Sequence, residues 1–196
     1  MGVVSQIALR MRGAAMVAKQ IADIITFLRS LLLIIFPWIA LAEGSNSLPW
    51  AAALLAADWT GDSLDGTLAR HSSQKFHTWI GDHDLEVDMA VSLGLLLYLL
   101  ISGFVKPSVA ILYLLLWSFF FIRAGLPRSL GMLFQAPIYA WFIYMALLHY
   151  PLAGLLLCAW IMAAMIITWP KAIDDVIPGF LSGMRQFLSQ DHRHAE

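Results

Sequence analysis

Apolar and polar residues alternate in blocks along the chain, with six long apolar stretches separated by short polar segments such as EGSNS, SGFVKP, RAGLPRS and HYP. A transmembrane helix needs about 20 predominantly apolar residues. The six stretches cover residues 24–42, 48–68, 85–104, 108–122, 130–148 and 152–169. The pattern predicts an all-α, polytopic membrane protein with six transmembrane helices, built as a single domain over residues 1–196.

The two ends of the chain have other patterns. Residues 3–19 place apolar side chains on one helical face next to Arg12 and Lys19, which predicts a short N-terminal interfacial helix. Residues 175–196 form a polar tail. The long charged segment before the first apolar stretch, which includes Asp23, argues against a signal peptide cleaved after IALA.

Composition supports the membrane assignment and excludes other classes. The chain is 60% hydrophobic and 13% charged, whereas soluble domains average roughly 45–50% and about 25%. A net charge of −1 argues against a nucleic-acid partner, since such binding depends on many basic side chains. Cys158 is the single cysteine, which excludes an internal disulfide and a cysteine metal site.

The distribution of basic residues predicts the orientation. With six spans, eleven of the twelve lysines and arginines fall on one side of the membrane, and Lys106 alone falls on the other. The positive-inside rule then places both termini in the cytoplasm. We therefore expect an integral protein of the cell inner membrane or an equivalent membrane, with the segment DSLDGTLAR (residues 62–70) at the cytoplasmic face.

Carboxylates recur at helical spacing at the ends of two successive spans. Asp62 and Asp65 are three residues apart, and Asp84 and Asp88 are four apart, so each pair shares a helix face. Asp58 lies one turn before Asp62. It has two open interpretations, support of the site or a buried polar contact.

Four carboxylates close together repel one another, and a bound divalent cation offsets this repulsion. Oxygen ligands without cysteine suit Mg²⁺, Mn²⁺ or Ca²⁺. We therefore interpret Asp62, Asp65, Asp84 and Asp88 as metal ligands. The alternative, helix capping or pairing with Arg70 and Lys75, is the one we favour for Asp82 and Glu86.

The segment that follows the first carboxylate pair contains three residues that suit a phosphate ligand. Gly66 lets a ligand approach the helix backbone closely, and the small side chain of Ala69 leaves room on the same helix face one turn later. Arg70 offers a planar hydrogen-bonding fork to phosphate oxygens. Together with metals, Gly66, Ala69 and Arg70 describe a pyrophosphate site.

These residues resemble the CDP-alcohol phosphatidyltransferases, whose pattern is Asp-x-x-Asp-Gly-x-x-Ala-Arg, about eight residues, Gly, three residues, Asp, three residues, Asp. The first half matches at all five positions from Asp62 to Arg70, and Asp84 and Asp88 match the final pair. The interval from Arg70 to Asp84 is one residue longer than usual, and Gly81 precedes Asp84 by three positions instead of four. ADIITFLRSLL (residues 22–32) also resembles the family's opening segment, without its usual Pro-Asn.

The resemblance implies a phospholipid-synthesis transferase. Two divalent ions, Mg²⁺ or Mn²⁺, would bind the pyrophosphate of a CDP-alcohol, most simply CDP-diacylglycerol. Asp88 would act as general base on the hydroxyl of an acceptor alcohol, and CMP would leave. The resemblance also implies a homodimer in the lipid bilayer.

The acceptor alcohol is not identified by the sequence. Arg123 and Arg128, in the loop between the fourth and fifth spans, are candidates to bind a phosphorylated alcohol; ordinary positive-inside anchoring explains them equally well. Three other functions compete with the transferase: an intramembrane prenyltransferase, a divalent-cation transporter and a non-catalytic membrane partner. The apolar last three spans disfavour a transporter, whose pathway needs polar groups through the bilayer.

Overall fold

The computed structural model describes residues 20–71, 83–171 and 177–184, excluding the side chains of residues 64–71, 84, 168, 170 and 171. Within these ranges every regular element is a helix. A 3₁₀ turn, Gly44–Ser47, separates α2 from α3. The helices are α1 (residues 20–30), α2 (Leu32–Glu43), α3 (Leu48–His71), α4 (Asp84–Ile101), α5 (Pro107–Ala124), α6 (Arg128–His149), α7 (Pro151–Lys171) and α8 (residues 177–184).

The all-α class is confirmed for the described residues, and each predicted span coincides with helix. The first span, 24–42, corresponds to α1 and α2 together, and the other five correspond to α3 through α7. Among the residues that the structure describes, three helical stretches are long and apolar enough to cross a membrane: Gln20–Ser63, Pro107–Ala124 and Arg128–His149. The count of six transmembrane helices stays a prediction, as does the single domain.

The predicted interfacial helix, residues 3–19, lies outside the described residues. Of the predicted polar tail, the structure describes residues 177–184, which form α8. The Ser129 hydroxyl at the start of α6 donates a 3.4 Å hydrogen bond to the Phe180 carbonyl of α8. Part of the tail thus packs against the helices.

Proline and glycine delimit α5 and α6. Pro107 is the first residue of α5, where a missing N–H costs nothing. Gly125 ends α5 with φ of 72°, a conformation that favours glycine. Pro127, in an extended conformation, precedes the first residue of α6. The segment RAGLPRS therefore forms a short connection between two helices.

Hydrogen bonds connect three interhelical loops at one end of the helices. The Ser102 hydroxyl, after α4, donates to the Gly44 carbonyl over 3.4 Å. The Tyr150 hydroxyl, between α6 and α7, donates to the side-chain oxygen of Asn46, also over 3.4 Å. Because α3 and α4 each extend away from this end, Asp62 and Asp88 lie toward the opposite end.

Helices α2 and α4 pack in close contact. A Cβ added to Gly94 would lie 2.7 Å from the Leu33 Cα, so the two backbones touch. In membranes, such small residues permit the close packing that holds helices together. Next to this contact, the buried rings of Phe36, Tyr98 and Phe142 form edge-to-face pairs with centroids 6.4 and 6.0 Å apart. The core is therefore built around α2, α4 and α6, and α3 adds buried side chains such as Leu48 and Leu55.

Large apolar side chains are exposed on the outer faces of the helices. Helix α5 shows this most clearly, and its exposed side chains include Leu112, Leu115, Phe119 and Ile122. Water would penalise such a surface, whereas lipid tails would not. The exposed faces agree with an integral membrane protein.

Candidate active site

The two carboxylate pairs lie on helices, as predicted. Helix α3 continues to His71, so Asp58, Asp62 and Asp65 occupy successive turns of one helix. Helix α4 begins at Asp84, and Asp88 follows one turn later. The helix that contains the second predicted span, residues 48–68, thus continues through residues 62–70.

One guanidinium joins carboxylates from both helices. Arg29 of α1 donates from Nε to Asp58 Oδ1 over 2.9 Å and from Nη1 to Asp62 Oδ1 over 3.1 Å. Its Nη2 donates to Asp88 Oδ1. All three guanidinium nitrogens thus bind a carboxylate, and helices α1, α3 and α4 meet at this point.

Exposure increases across this cluster of Arg29, Asp58, Asp62 and Asp88. The side chains of Arg29 and Asp58 are only 5% and 1% exposed. Those of Asp88 and Asp62 are 28% and 46% exposed. The cluster therefore has a closed side at Asp58 and an open side at Asp88 and Asp62, where a ligand from water has access.

A glycine permits the close approach of α1 to α3. A Cβ on Gly61 would lie 3.2 Å from the Ile25 side chain and 3.5 Å from Arg29 Cδ. The contact with Ile25 is tighter than ordinary packing, so an alanine there would force the Ile25 side chain to shift, whereas 3.5 Å from Arg29 is ordinary van der Waals contact. Gly61 therefore permits close packing of α1 on α3 beside the cluster although it carries no functional group.

Aromatic side chains from α6 and α7 line the neighbouring face of α3. Trp59 lies edge-to-face against Tyr139 at 5.6 Å and beside Trp160 at 5.4 Å. The Trp160 indole N–H donates to the Thr60 hydroxyl over 3.1 Å. Tyr139 also interacts electrostatically with Asp58 and Asp88, so α6 borders the cluster.

The sequence profile of the CDP-alcohol phosphatidyltransferase family matches residues 19–173, most of the chain. The chain belongs to this family. A search of curated proteins found no match, and neither did a search of solved structures. The match includes Arg29 as well as the segment 62–88.

A CDP-alcohol phosphatidyltransferase generally depends on divalent cations, and the donor chemistry of the cluster fits such an ion. Asp62 and Asp88 offer partly exposed carboxylate oxygens, the ligands that Mg²⁺ and Mn²⁺ prefer. The cluster combines three carboxylates with one guanidinium, so it keeps a surplus of negative charge. Among the described side chains, no three Asp, Glu, His or Cys residues are placed so that they could hold one metal ion; the side chains of Asp65 and Asp84 lie outside the description.

The remaining predicted site residues fall into two groups. Gly66, Ala69 and Arg70 lie on α3, and the structure describes only the helical backbone there. Gly81 lies outside the described residues. The second group, Arg123 and Arg128, flanks the connection between α5 and α6; both side chains are exposed, and the Arg123 guanidinium lies 5.9 Å from the centroid of the Phe119 ring.

Sequence reasoning counted Arg29 only among the basic residues that set the orientation, and it missed the ion pairs. A signal was present, because Arg29 interrupts the apolar run IITFLRSLLL. A charged residue inside an apolar helix requires a polar partner. Asp58, whose role was open, is also such a residue, and the structure pairs the two.

Proposed function

We propose that the chain transfers a phosphatidyl group from CDP-diacylglycerol to the hydroxyl of an acceptor alcohol, releasing CMP, in phospholipid biosynthesis. Membership of the family supports transferase activity on a CDP-alcohol. The observation that carries the site is the convergence of Asp62 and Asp88 on one guanidinium. It joins the two halves of the motif at an open, negatively charged surface.

The proposed metal ligands are Asp62, Asp65, Asp84 and Asp88, and the ions are two Mg²⁺ or Mn²⁺. Such ions neutralise phosphate charge and stabilise the departing CMP. Gly66 and Ala69 would leave α3 open to the pyrophosphate, and Arg70 would donate hydrogen bonds to its oxygens. The carboxylates of Asp62 and Asp88 are the partly exposed ones in the cluster, which supports their role as ligands.

Asp88 is the proposed general base. Its carboxylate takes the proton of the acceptor hydroxyl as that oxygen attacks the phosphorus bearing diacylglycerol. The bond from this phosphorus to the bridging oxygen breaks, and CMP leaves with the electron pair. The side chain of Asp88 is 28% exposed at the open side of the cluster, which supports this role because an acceptor hydroxyl can come within hydrogen-bond reach.

The proposed site faces the cytoplasm, where a lipid tail can stay in the bilayer while the nucleotide comes from water. Arg123 and Arg128 are the proposed contacts for a phosphate on the acceptor. Both are exposed at the connection between α5 and α6, and an arginine fork suits phosphate oxygens. We propose a homodimer as the assembly.

The test is a transfer assay on the purified full-length protein in lipid nanodiscs. The assay contains Mn²⁺ and CDP-diacylglycerol, with glycerol phosphate, serine, inositol phosphate or an amino alcohol as acceptor. We expect CMP release together with one new phospholipid, seen by mass spectrometry, for one acceptor class. Absence of CMP release with every acceptor would contradict the proposal and favour a non-catalytic membrane partner.

A further inference from the structure

We propose that Arg29 is a positioning residue of the transfer reaction, and that Asp58 is its buried anchor. In this role Arg29 sets the separation and orientation of Asp62 and Asp88 before substrate binds. The inference rests on the proposed function, since it concerns the same reaction. It adds to the site two residues that lie outside the segment 62–88.

The first argument is the complete use of the guanidinium. Nε binds Asp58, Nη1 binds Asp62 and Nη2 binds Asp88. The group is planar and its donors point in fixed directions. Three contacts in different directions leave it no freedom to rotate. The positions of the three carboxylate oxygens are therefore set by one rigid group.

The second argument is the burial of Asp58. At 1% exposure its carboxylate is closed to any ligand from water, so direct contact with a nucleotide or an acceptor is excluded. Its hydrogen bond to Nε is a buried one. Charge-assisted bonds of this kind are shorter and stronger than neutral ones. Asp58 therefore holds the guanidinium, and the guanidinium holds the two exposed carboxylates.

The third argument is charge. Asp62 and Asp88 come from different helices, and two carboxylates brought close together repel each other. Arg29 lies between them and binds both. Without it, α3 and α4 would separate at this point or one carboxylate would turn away. Arg29 thus keeps a proposed ligand and the proposed base in one arrangement in the absence of substrate, which reduces the cost of reaching the reactive geometry.

A lysine would not replace Arg29 in this role. Its ammonium is a single point charge on a flexible stem, so it would neutralise the carboxylates without fixing their directions. Arg29→Lys therefore separates positioning from charge. A purely structural ion pair predicts a lower melting temperature with turnover per folded molecule unchanged. Positioning predicts a loss of kcat in a folded protein.

The experiment compares wild type, Arg29→Lys and Asp58→Asn, with Lys106→Arg as the control. The control exchanges the same two residue types at an exposed position at the opposite end of the helices. Each preparation is measured for melting temperature, for kcat and KM with CDP-diacylglycerol, and for Mn²⁺ binding by electron paramagnetic resonance without substrate.

We expect Arg29→Lys to lower kcat by about 10²-fold, the usual cost of a displacement near 1 Å, with a smaller change in KM. Mn²⁺ affinity should fall by about 10-fold or more, as when residues that orient metal ligands are removed. Asp58→Asn should also lower kcat and Mn²⁺ affinity. Lys106→Arg should match wild type.

Wild-type kcat and Mn²⁺ affinity in a folded Arg29→Lys protein would overturn the inference while the proposed function stands. A wild-type protein that releases no CMP with any acceptor would instead remove the proposed function, and the inference with it. If Arg29→Lys does not fold, Asp58→Asn decides, because it keeps the guanidinium and removes the charge of its anchor, which turns a charge-assisted hydrogen bond into a weaker one. Unchanged kcat in that variant would overturn the inference.

Discussion

Gly94 and Leu33 lie backbone against backbone: a Cβ on Gly94 would meet the Leu33 Cα at 2.7 Å and the Leu32 carbonyl oxygen at 2.8 Å. Neither atom can move without displacing the helix that carries it. The contact fixes α4 against α2, and Asp88 lies less than two turns earlier on the same helix. Packing at Gly94 therefore supports the site from a distance.

Gly94→Ala should destabilise the protein, since the added methyl group forces α2 and α4 apart. Overpacking of this kind costs about 1–3 kcal/mol, measured by thermal unfolding in detergent. Gly179→Ala on α8 is the matched control, because its Cβ would meet nothing within 4 Å. It should keep or slightly raise the melting temperature. Equal melting temperatures for the two variants would contradict the tight contact.

Metal removal should abolish transfer. The cluster of Arg29, Asp58, Asp62 and Asp88 keeps a surplus of negative charge around one guanidinium, and a pyrophosphate adds more. Excess chelator should stop CMP release, and Mg²⁺ or Mn²⁺ should restore it, whereas Zn²⁺ should not because the ligands are carboxylates. Full activity in excess chelator would eliminate the metal site.

Asp88→Asn should lower turnover by about 10²–10⁴-fold, the usual contribution of a general base. The amide keeps the size of the side chain but cannot accept the proton. Binding of the CDP-alcohol should survive better than in Asp65→Asn, which loses a proposed charged ligand. Turnover is measured by CMP release, and binding by calorimetry.

Glu86→Gln is the matched control for Asp88→Asn, since Glu86 is an exposed carboxylate two residues away on α4. It should keep wild-type turnover. If a folded Asp88→Asn protein also turns over normally, the base assignment fails. A modest rate change with a lower melting temperature would indicate a role for Asp88 in folding alone.

Both termini should lie in the cytoplasm, because eleven of the twelve basic residues fall on that side in the six-span topology. A reporter fused after Glu196 should read as cytoplasmic. The same reporter inserted in the turn at residues 102–106, which contains Lys106, should read from the other side. A non-cytoplasmic signal after Glu196 would overturn the topology and move the proposed site to the wrong face.

Substituting Arg123 and Arg128 by glutamine should raise the KM for a phosphorylated acceptor while the KM for CDP-diacylglycerol changes little. The reason is that each guanidinium offers a hydrogen-bonding fork to phosphate. The measurement is CMP release against acceptor concentration. Unchanged KM values, combined with altered topology in the reporter assay, would show that the two arginines serve only to orient the protein.

Local patterns predicted the helices well. The apolar stretch 48–68 correctly predicted that α3 begins at Leu48. The stretch 130–148 predicted both ends of α6 to within two residues. Helical spacing also put Asp62 with Asp65, and Asp84 with Asp88, on common helices. These predictions succeed because periodicity relates residues within a few turns of each other.

The centre of the site was not predictable in this way. Arg29 precedes its partners by 29, 33 and 59 residues, and no periodic pattern relates positions so far apart. The sequence contained two clues, a charge at Arg29 and another at Asp58, each within an apolar run. Their pairing depends on the reversal of the chain at Gly44–Ser47 and on the packing of α4, both of which are tertiary features.

The order of Arg29 and its carboxylates along the chain has a consequence for biosynthesis. Arg29 leaves the ribosome well before Asp58, and 59 residues before Asp88. An arginine at the centre of a membrane helix costs about 2.5–3.5 kcal/mol during insertion by the translocon. Arg29 lies near the cytoplasmic end of the predicted first span, so we expect α1 to stay close to the membrane surface until Asp58 and Asp88 have been translated. We expect the segments from α1 to α4 to settle in the bilayer together, as one cooperative step of assembly.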